Sequence, residues 1–265
     1  MSICHRLLLL FALLLTPVAA TYAQSAADIG IVVLHGKGGN PGGLTKPLHD
    51  GLEAKGFRVA SLEMPWSKRR SYDKDISTAV EEVSAALKEL RAKGAKKVFV
   101  AGHSQGGVFS IYYASRQPLD GLIIIAPGGN VATNFYQSKI SGSVERARDL
   151  VSGGKGGETG DFDEFEGGRG SWTVRTTAAS YFSWFDPQGG MNQMKSSAAL
   201  PKTLPVLHVA PTSDYPVLLR SKQEMFDALP GHPLKKLHEP SSNHRDAPRD
   251  SVDEVAKWIL EVAAK

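Results

Sequence analysis

Six short apolar runs punctuate the chain, and each gives way to a turn and then to residues with helical spacing. Ile31-Val32-Val33-Leu34 ends at His35-Gly36, Phe57 to Leu62 forms the second run, and Lys97-Val98-Phe99-Val100-Ala101 the third. Gly121 to Ala126 ends at Pro127-Gly128-Gly129, and Pro205 to Ala210 and Leu234 to His238 complete the set. Runs that are apolar throughout, rather than alternating, describe strands buried on both faces, as in a parallel sheet covered by helices. The segments between them supply those helices. Leu44 to Lys55 is closed by Gly56, and Ile76, Val80, Val83, Leu87 and Leu90 fall four, three, four and three apart. That stripe buries one helical face and leaves Glu81, Glu82, Lys88 and Glu89 in water. Val108, Ile111 and Tyr112 lie on a third helix, Val217 to Leu229 on a fourth, and Val252, Val255, Ile259 and Val262 on a last one. Ser251 and Glu254 form a capping-box pattern at the start of that last helix. The expected class is α/β, a mostly parallel six-stranded sheet with helices on both faces.

Between residues 131 and 200 the alternation fails, over a length too great for an ordinary connection. Val144 to Val151 reads as helical, whereas Gly153 to Gly170 is dominated by Gly, Asp and Glu and is expected to be mobile. Tyr181-Phe182-Ser183-Trp184-Phe185 then concentrates aromatics, with Met191 and Met194 behind it. The segment reads as a helical and loop cap over the sheet. Its aromatics either face an apolar pocket or simply pack the insertion onto the body.

The amino terminus has the pattern of a secretory leader over residues 1–23. His5 and Arg6 precede an apolar core from Leu7 to Leu15, and cleavage fits after Ala20 or after Ala23. That core is too short for a comfortable membrane span. The remaining 24–265 make one domain with its insertion, expected to be periplasmic or secreted, without a stable membrane anchor. The only cysteine, Cys4, falls within the leader, so no disulfide is expected. The formal net charge is +4, and basic residues cluster only at Lys68-Arg69-Arg70 and Lys235-Lys236 without interleaved aromatics, which argues against a nucleic-acid partner. The Met64 to Arg70 segment should overhang the carboxyl edge of the sheet. Its charges either attract an acidic substrate or are simply solvated. Asp161, Asp163, Glu164 and Glu166 approach a calcium-loop spacing, but Phe165 breaks it, and neither metal nor cofactor is expected.

Gly102-His103-Ser104-Gln105-Gly106 follows the third strand directly. A strand that ends in a serine and turns sharply into a helix needs glycines two residues before and two after, where a Cβ would collide. The hydroxyl of Ser104 then stands at the carboxyl edge of the sheet with a helix N-terminus behind it. A serine needs a base within hydrogen-bond reach, and the base needs a carboxylate to fix its tautomer. Among eight histidines, His244 lies in a polar loop after the last strand, on the same edge as Ser104, and is the expected base. His208 reads as a core residue, His35 as structural, and His103 points away from its neighbour. Asp214, just past the fifth strand, is the expected carboxylate, ahead of Asp246 and Asp186. For an oxyanion, Gln105 offers one backbone N–H. The glycine-rich loop from His35 to Gly43 offers the other, from Lys37 first and from Gly36 or Gly38 next.

Leu34-His35-Gly36, the Gly102 to Gly106 turn, Thr212-Ser213-Asp214 and Asn243-His244 together resemble the α/β-hydrolase superfamily, in its single-domain esterase, lipase and thioesterase branch. The resemblance covers nearly all of residues 29–264, with 131–200 where that superfamily inserts its cap. It implies the same Ser104, His244 and Asp214 assignment. The first strand runs straight into the His-Gly loop, so the antiparallel strands that often begin the fold are missing and a reduced sheet is expected. The expected activity is hydrolysis of a small-molecule carboxylic ester through an acyl-enzyme. Thioester or amide cleavage by the same groups, and a non-catalytic binding protein of the same fold, are the rivals.

Overall fold

The computed structural model describes residues 25–265; the leader, its cleavage positions and Cys4 lie outside the described residues. In chain order, the amino-terminal half consists of β1 (Ile29–Leu34), α1 (Lys46–Ala54), β2 (Arg58–Leu62), α2 (Ile76–Ala92), β3 (Lys97–His103), α3 (Gln105–Ala114) and β4 (Gly121–Ile125). The insertion then contributes α4 (Asn134–Ser152), β5 (Thr159–Glu166), β6 (Gly170–Thr177), α5 (Ala178–Phe185) and α6 (Gln193–Ala198). The chain returns through β7 (Val206–Val209), α7 (Pro216–Asp227), β8 (Lys236–His238), α8 (Ala247–Asp250) and α9 (Val252–Ala263).

Six strands form one sheet in the order β2-β1-β3-β4-β7-β8, and every pairing in it is parallel. Alternate side chains of each strand feed separate cores. Ile29, Ile31, Val33, Phe99, Ala101, Ile123 and Leu207 pack against Leu48 and Leu52 of α1 and Val255, Trp258 and Ile259 of α9. On the opposite face, Val32, Leu34, Val98 and Val100 meet Val83 and Leu87 of α2 and Val108 and Phe109 of α3. The strand order reverses between β1 and β3, which opens a crevice beyond their carboxyl ends. The loop from His35 and the turn at Ser104 form its two walls.

The insertion differs from its expected form. The Gly153 to Gly170 stretch is not a mobile loop: most of its second half is β5, paired antiparallel with β6 so that Phe162 faces Val174 and Glu164 faces Trp172. One side of this hairpin is polar and exposed, while Phe162, Glu164, Val174 and Thr176 are buried. Inward burial, not composition, decided its order. The aromatic run lies on α5, where Tyr181, Trp184 and Phe185 are buried in the same core as α2 and α3. Trp184 stands 5.5 Å from Trp66 and 5.8 Å from Phe109 between ring centres. These aromatics therefore pack the insertion onto the body and do not face an apolar pocket.

Two smaller expectations also change. Ser251 makes no side-chain capping bond to α9, because α8 ends immediately before it and leaves it with φ −107° and ψ 3°, away from the extended backbone typical of a cap. In the 64–70 segment Met64 and Trp66 are buried. Arg69 is paired with Glu63, and Arg70 with Glu82 at 2.8 Å and Asp73 at 3.0 Å, so two of the three cations there are already engaged.

Candidate active site

Ser104 sits between β3 and α3 with φ 54° and ψ −120°, a left-handed backbone that side chains rarely adopt. The surroundings enforce it. Ser104 N–H donates to Ile125 O at 2.9 Å, tying the turn to β4. A Cβ at Gly102 would run into the Gly106 carbonyl and Ser110 Oγ, and one at Gly106 would lie 2.6 Å from His35 O. Both glycines are thus required by close approach. Gly36 also lies against the nucleophile turn, where a Cβ would be 3.0 Å from that of Ser104.

The other two groups arrive on adjacent loops. Beyond β7 and β8 the ladder continues through Ala210 N–H to His238 O at 2.8 Å, Thr212 N–H to Pro240 O at 3.0 Å and Ser213 N–H to Ser242 O at 2.9 Å. Ser213 pairs with Asn243 as an isolated parallel bridge, so Asp214 and His244 each follow a paired residue. His244 Nδ1 is 2.8 Å from Asp214 Oδ1, and its Nε2 is 3.0 Å from Ser104 Oγ. An ionised carboxylate only accepts, so Nδ1 carries the proton and Nε2 is left to accept from the serine hydroxyl. Asp214 Oδ1 also accepts from Tyr215 N–H at 2.6 Å, and the Tyr215 ring lies 4.7 Å from the imidazole. Asp246 instead accepts from Asn243 Nδ2, and Asp186 from Gln188 N–H, so both serve local turns.

Two further histidines act on the frame. His103 is buried and donates from Nε2 to the carbonyl of His244 at 2.8 Å, holding that loop from below. Burial, with the nearby His244 adding to it, holds His103 down to about 3, so the ring is neutral. His35 accepts from Met64 N–H at 3.0 Å through Nε2 and donates from Nδ1 to Gly36 O at 2.8 Å. Burial lowers its pKa as well. It shapes the loop opposite Ser104, as its place at a strand end suggested. His208, within β7, is buried and held down to about 4 by desolvation.

The crevice encloses about 310 Å³ between Ser104, His244, Gly36, Leu44 and Tyr215, with Glu166, Arg169 and Arg245 at its rim. Gly38 N–H is bonded to Trp66 O at 2.9 Å, which removes it from the donors facing this space. Lys37 turns its side chain away, toward the hairpin, where Nζ meets Glu164 at 2.7 Å, Phe165 O at 2.9 Å and the Tyr136 hydroxyl at 3.1 Å. Among the described residues no three His, Cys, Asp or Glu side chains gather where they would hold a metal ion. The four acidic residues of β5 point elsewhere: Asp161 to Arg175, Asp163 to Ser143, Glu164 to Lys37 and Glu166 to Arg169. Sequence reasoning missed Glu164, Tyr136 and Tyr72. The alternation Trp172-Val174-Thr176 after the Gly167 to Gly170 turn was the available signal for the hairpin that carries Glu164.

A wholly parallel sheet wound in this order, with the serine turn and the histidine loop at its carboxyl edge, is the α/β-hydrolase fold. Residues 25–152 match the family model described as Serine aminopeptidase, S33. Three solved structures share the fold at low identity. The monoacylglycerol lipase of Paleococcus ferrophilus is 20% identical with a TM-score of 0.58, covering 89% of this chain and 93% of that one. Est1E from Butyrivibrio proteoclasticus, solved with ferulic acid bound, is 17% identical with a TM-score of 0.59, covering 92% and 93%. A thermostable carboxyl esterase from Bacillus coagulans is 19% identical with a TM-score of 0.59, covering 88% and 89%. No curated protein matches the chain.

Proposed function

We propose that this chain is an exported serine hydrolase that cleaves small carboxylic esters through an acyl-enzyme. The observation that carries the reading is the relay from Asp214 through His244 to Ser104, with contacts of 2.8 and 3.0 Å. Ser104 Oγ attacks the ester carbonyl while His244 Nε2 takes its proton. Charge develops on the carbonyl oxygen, which the backbone N–H groups of Gln105 and Lys37 bind, with Gly36 the alternative to Lys37. His244 returns the proton to the departing alcohol, and water repeats the sequence on the acyl group to release the acid. Asp214 holds the ring in the correct tautomer throughout.

Esters are favoured over peptides by the rim of the crevice. Arg169 pairs with Glu166 at 3.5 Å and Arg245 lines the same crevice, a surplus of positive charge that disfavours the free ammonium of an aminopeptidase substrate. The lipase and esterase neighbours named above act in the same direction. A volume of about 310 Å³ suits a compact substrate. Export follows from the leader pattern of residues 1–23, and processing after Ala20 or Ala23 would be read by N-terminal sequencing of the secreted chain.

The test is covalent labelling by a fluorophosphonate together with turnover of p-nitrophenyl esters, acyl-thioesters and peptide anilides. Modification at Ser104 and fastest turnover of the esters are expected. A correctly folded protein that is neither labelled nor active overturns the reading, and preference for anilides replaces it with a peptidase.

A further inference from the structure

Glu164 is fully buried, far from ordinary surroundings for a carboxylate, and the reaction above does not use it. Its two oxygens divide their partners. Oε1 accepts from Lys37 Nζ at 2.7 Å and from the Tyr136 hydroxyl at 2.8 Å. Oε2 accepts from the Tyr72 hydroxyl, whose oxygen lies 3.3 Å from the Gln105 side-chain amide. Lys37 follows β1 and lines the crevice, Gln105 opens α3 directly after Ser104, and they are the two residues whose backbone N–H groups are expected to bind the oxyanion. Glu164 joins their side chains from behind.

The connection is stiff on both sides. The Lys37 ammonium has three protons, and Glu164, Phe165 O and Tyr136 take all of them. On the other arm, Tyr72 holds the left-handed φ of 57°, and its carbonyl accepts from Thr176 Oγ1 at 2.6 Å and Ser180 Oγ at 2.5 Å, both from the insertion. Burial, reinforced by the charge of Glu164, pushes the Tyr72 and Tyr136 hydroxyls well above the usual phenol range, so both remain donors. A satisfied polar network in a desolvated site resists distortion more than its separate bonds in water would.

Resting on the reading of Ser104, His244 and Asp214 as the reacting groups, we propose that Glu164 is a positioning residue that sets both halves of the oxyanion hole. The hairpin is then part of the catalytic frame, and the charge it buries serves to hold two backbone donors in register across the switch point of the sheet. Small displacements of such donors are expensive, since misplacement by about 1 Å costs on the order of 10²-fold in rate.

The experiment compares wild type, Glu164→Gln, Tyr72→Phe and the double variant. It reads kcat and KM for a p-nitrophenyl ester and the affinity of a boronic acid that mimics the tetrahedral state. For Glu164→Gln, kcat should fall about 10- to 100-fold with KM within about twofold, and boronate affinity should fall in parallel. Tyr72→Phe cuts only the Gln105 arm and should cost less, and the double variant should be no worse than Glu164→Gln alone. Folded variants with kcat within twofold of wild type, a loss confined to KM, or losses that multiply in the double variant each overturn the inference. If Glu164→Gln does not fold, Tyr72→Phe alone decides by the same kcat and boronate readouts. Failure of wild type to label at Ser104 would sink the triad reading, and this inference with it. Normal labelling with unaffected variants sinks this inference alone.

Discussion

The parallel sheet and the insertion between β4 and β7 both bury apolar side chains but are held in place by different means. In the sheet, backbone ladders fix every strand, and side chains need only be apolar on both faces. In the insertion, side chains do the fixing: Trp184 Nε1 donates to Lys74 O at 2.8 Å, Ser183 Oγ accepts from Ile76 N–H at 3.0 Å, and Lys37 reaches across to Glu164. The sheet supplies the three groups of the proposed relay, and the insertion supplies none of them. The insertion supplies Glu166 and Arg169 to the crevice lining and Glu164 behind it, against Lys37. A segment can therefore be peripheral to the sheet and still be built into the site.

The sharpest way to separate the two regions is to remove one group from each. His244→Ala should reduce ester turnover by about four to six orders of magnitude while the urea midpoint stays near that of wild type. Turnover retained within tenfold would mean that another base serves Ser104. Trp184→Ala should do the reverse. The ring is 1% exposed and sits among Trp66, Phe109 and Tyr72, so truncation should lower unfolding free energy by about 3–5 kcal/mol. A cost below about 1 kcal/mol in urea titration would show instead a loosely seated lid.

The same contrast explains what was legible in the sequence. Period and continuity identify strands such as β1 and helices such as α2, because burial there repeats at a fixed spacing. The meeting of Ser104, Asp214 and His244 at one edge was legible because Ser104 ends a strand and the other two lie in loops that follow strands the pattern already defined. Glu164 was not. Its neighbours Asp161, Asp163 and Glu166 face outward or toward the rim, and their composition masked a strand whose inward side carries Phe162. A charge that is buried because distant residues come to meet it leaves no local trace. Lys37 and Glu164 are linked only through the tertiary fold.

Acid should act first on the sheet body. His103 and His208 belong to β3 and β7, and burial holds them at about 3 and about 4 against the ordinary histidine value of 6.5. Unfolded, both take up a proton as pH falls below 6.5, whereas the native chain binds it only near the lower values. Their contribution is complete above 6.5 and is lost progressively as pH falls toward those values. Each should make stability decline by about 1.4 kcal/mol per pH unit within its window. Urea unfolding between roughly pH 6 and 5, a range in which ordinary carboxylates stay ionised, should show this slope. His208→Leu should reduce it by one proton, and an unchanged slope would rule out His208 as a source.

The smallest effect compares two helix starts, one in each region. In the insertion, side chains cap α4, α5 and α6: Thr133 accepts from Tyr136 N–H, Thr177 from Ser180 N–H and Asn192 from Lys195 N–H, at 3.1 to 3.2 Å. In the body, Ser251 precedes α9 in what reads as a capping box, yet its hydroxyl is fully buried with no hydrogen-bond partner among the described residues. Glu254, its supposed reciprocal partner, faces Lys236 at 2.5 Å. Thr177→Ala should therefore cost about 1 kcal/mol, the usual worth of a cap. Ser251→Ala removes an unsatisfied buried hydroxyl and should be neutral or stabilising by up to about 1 kcal/mol. Paired urea titrations resolve that difference in sign. Equal losses at the two positions would mean that the Ser251 hydroxyl does bond to the first turn of α9.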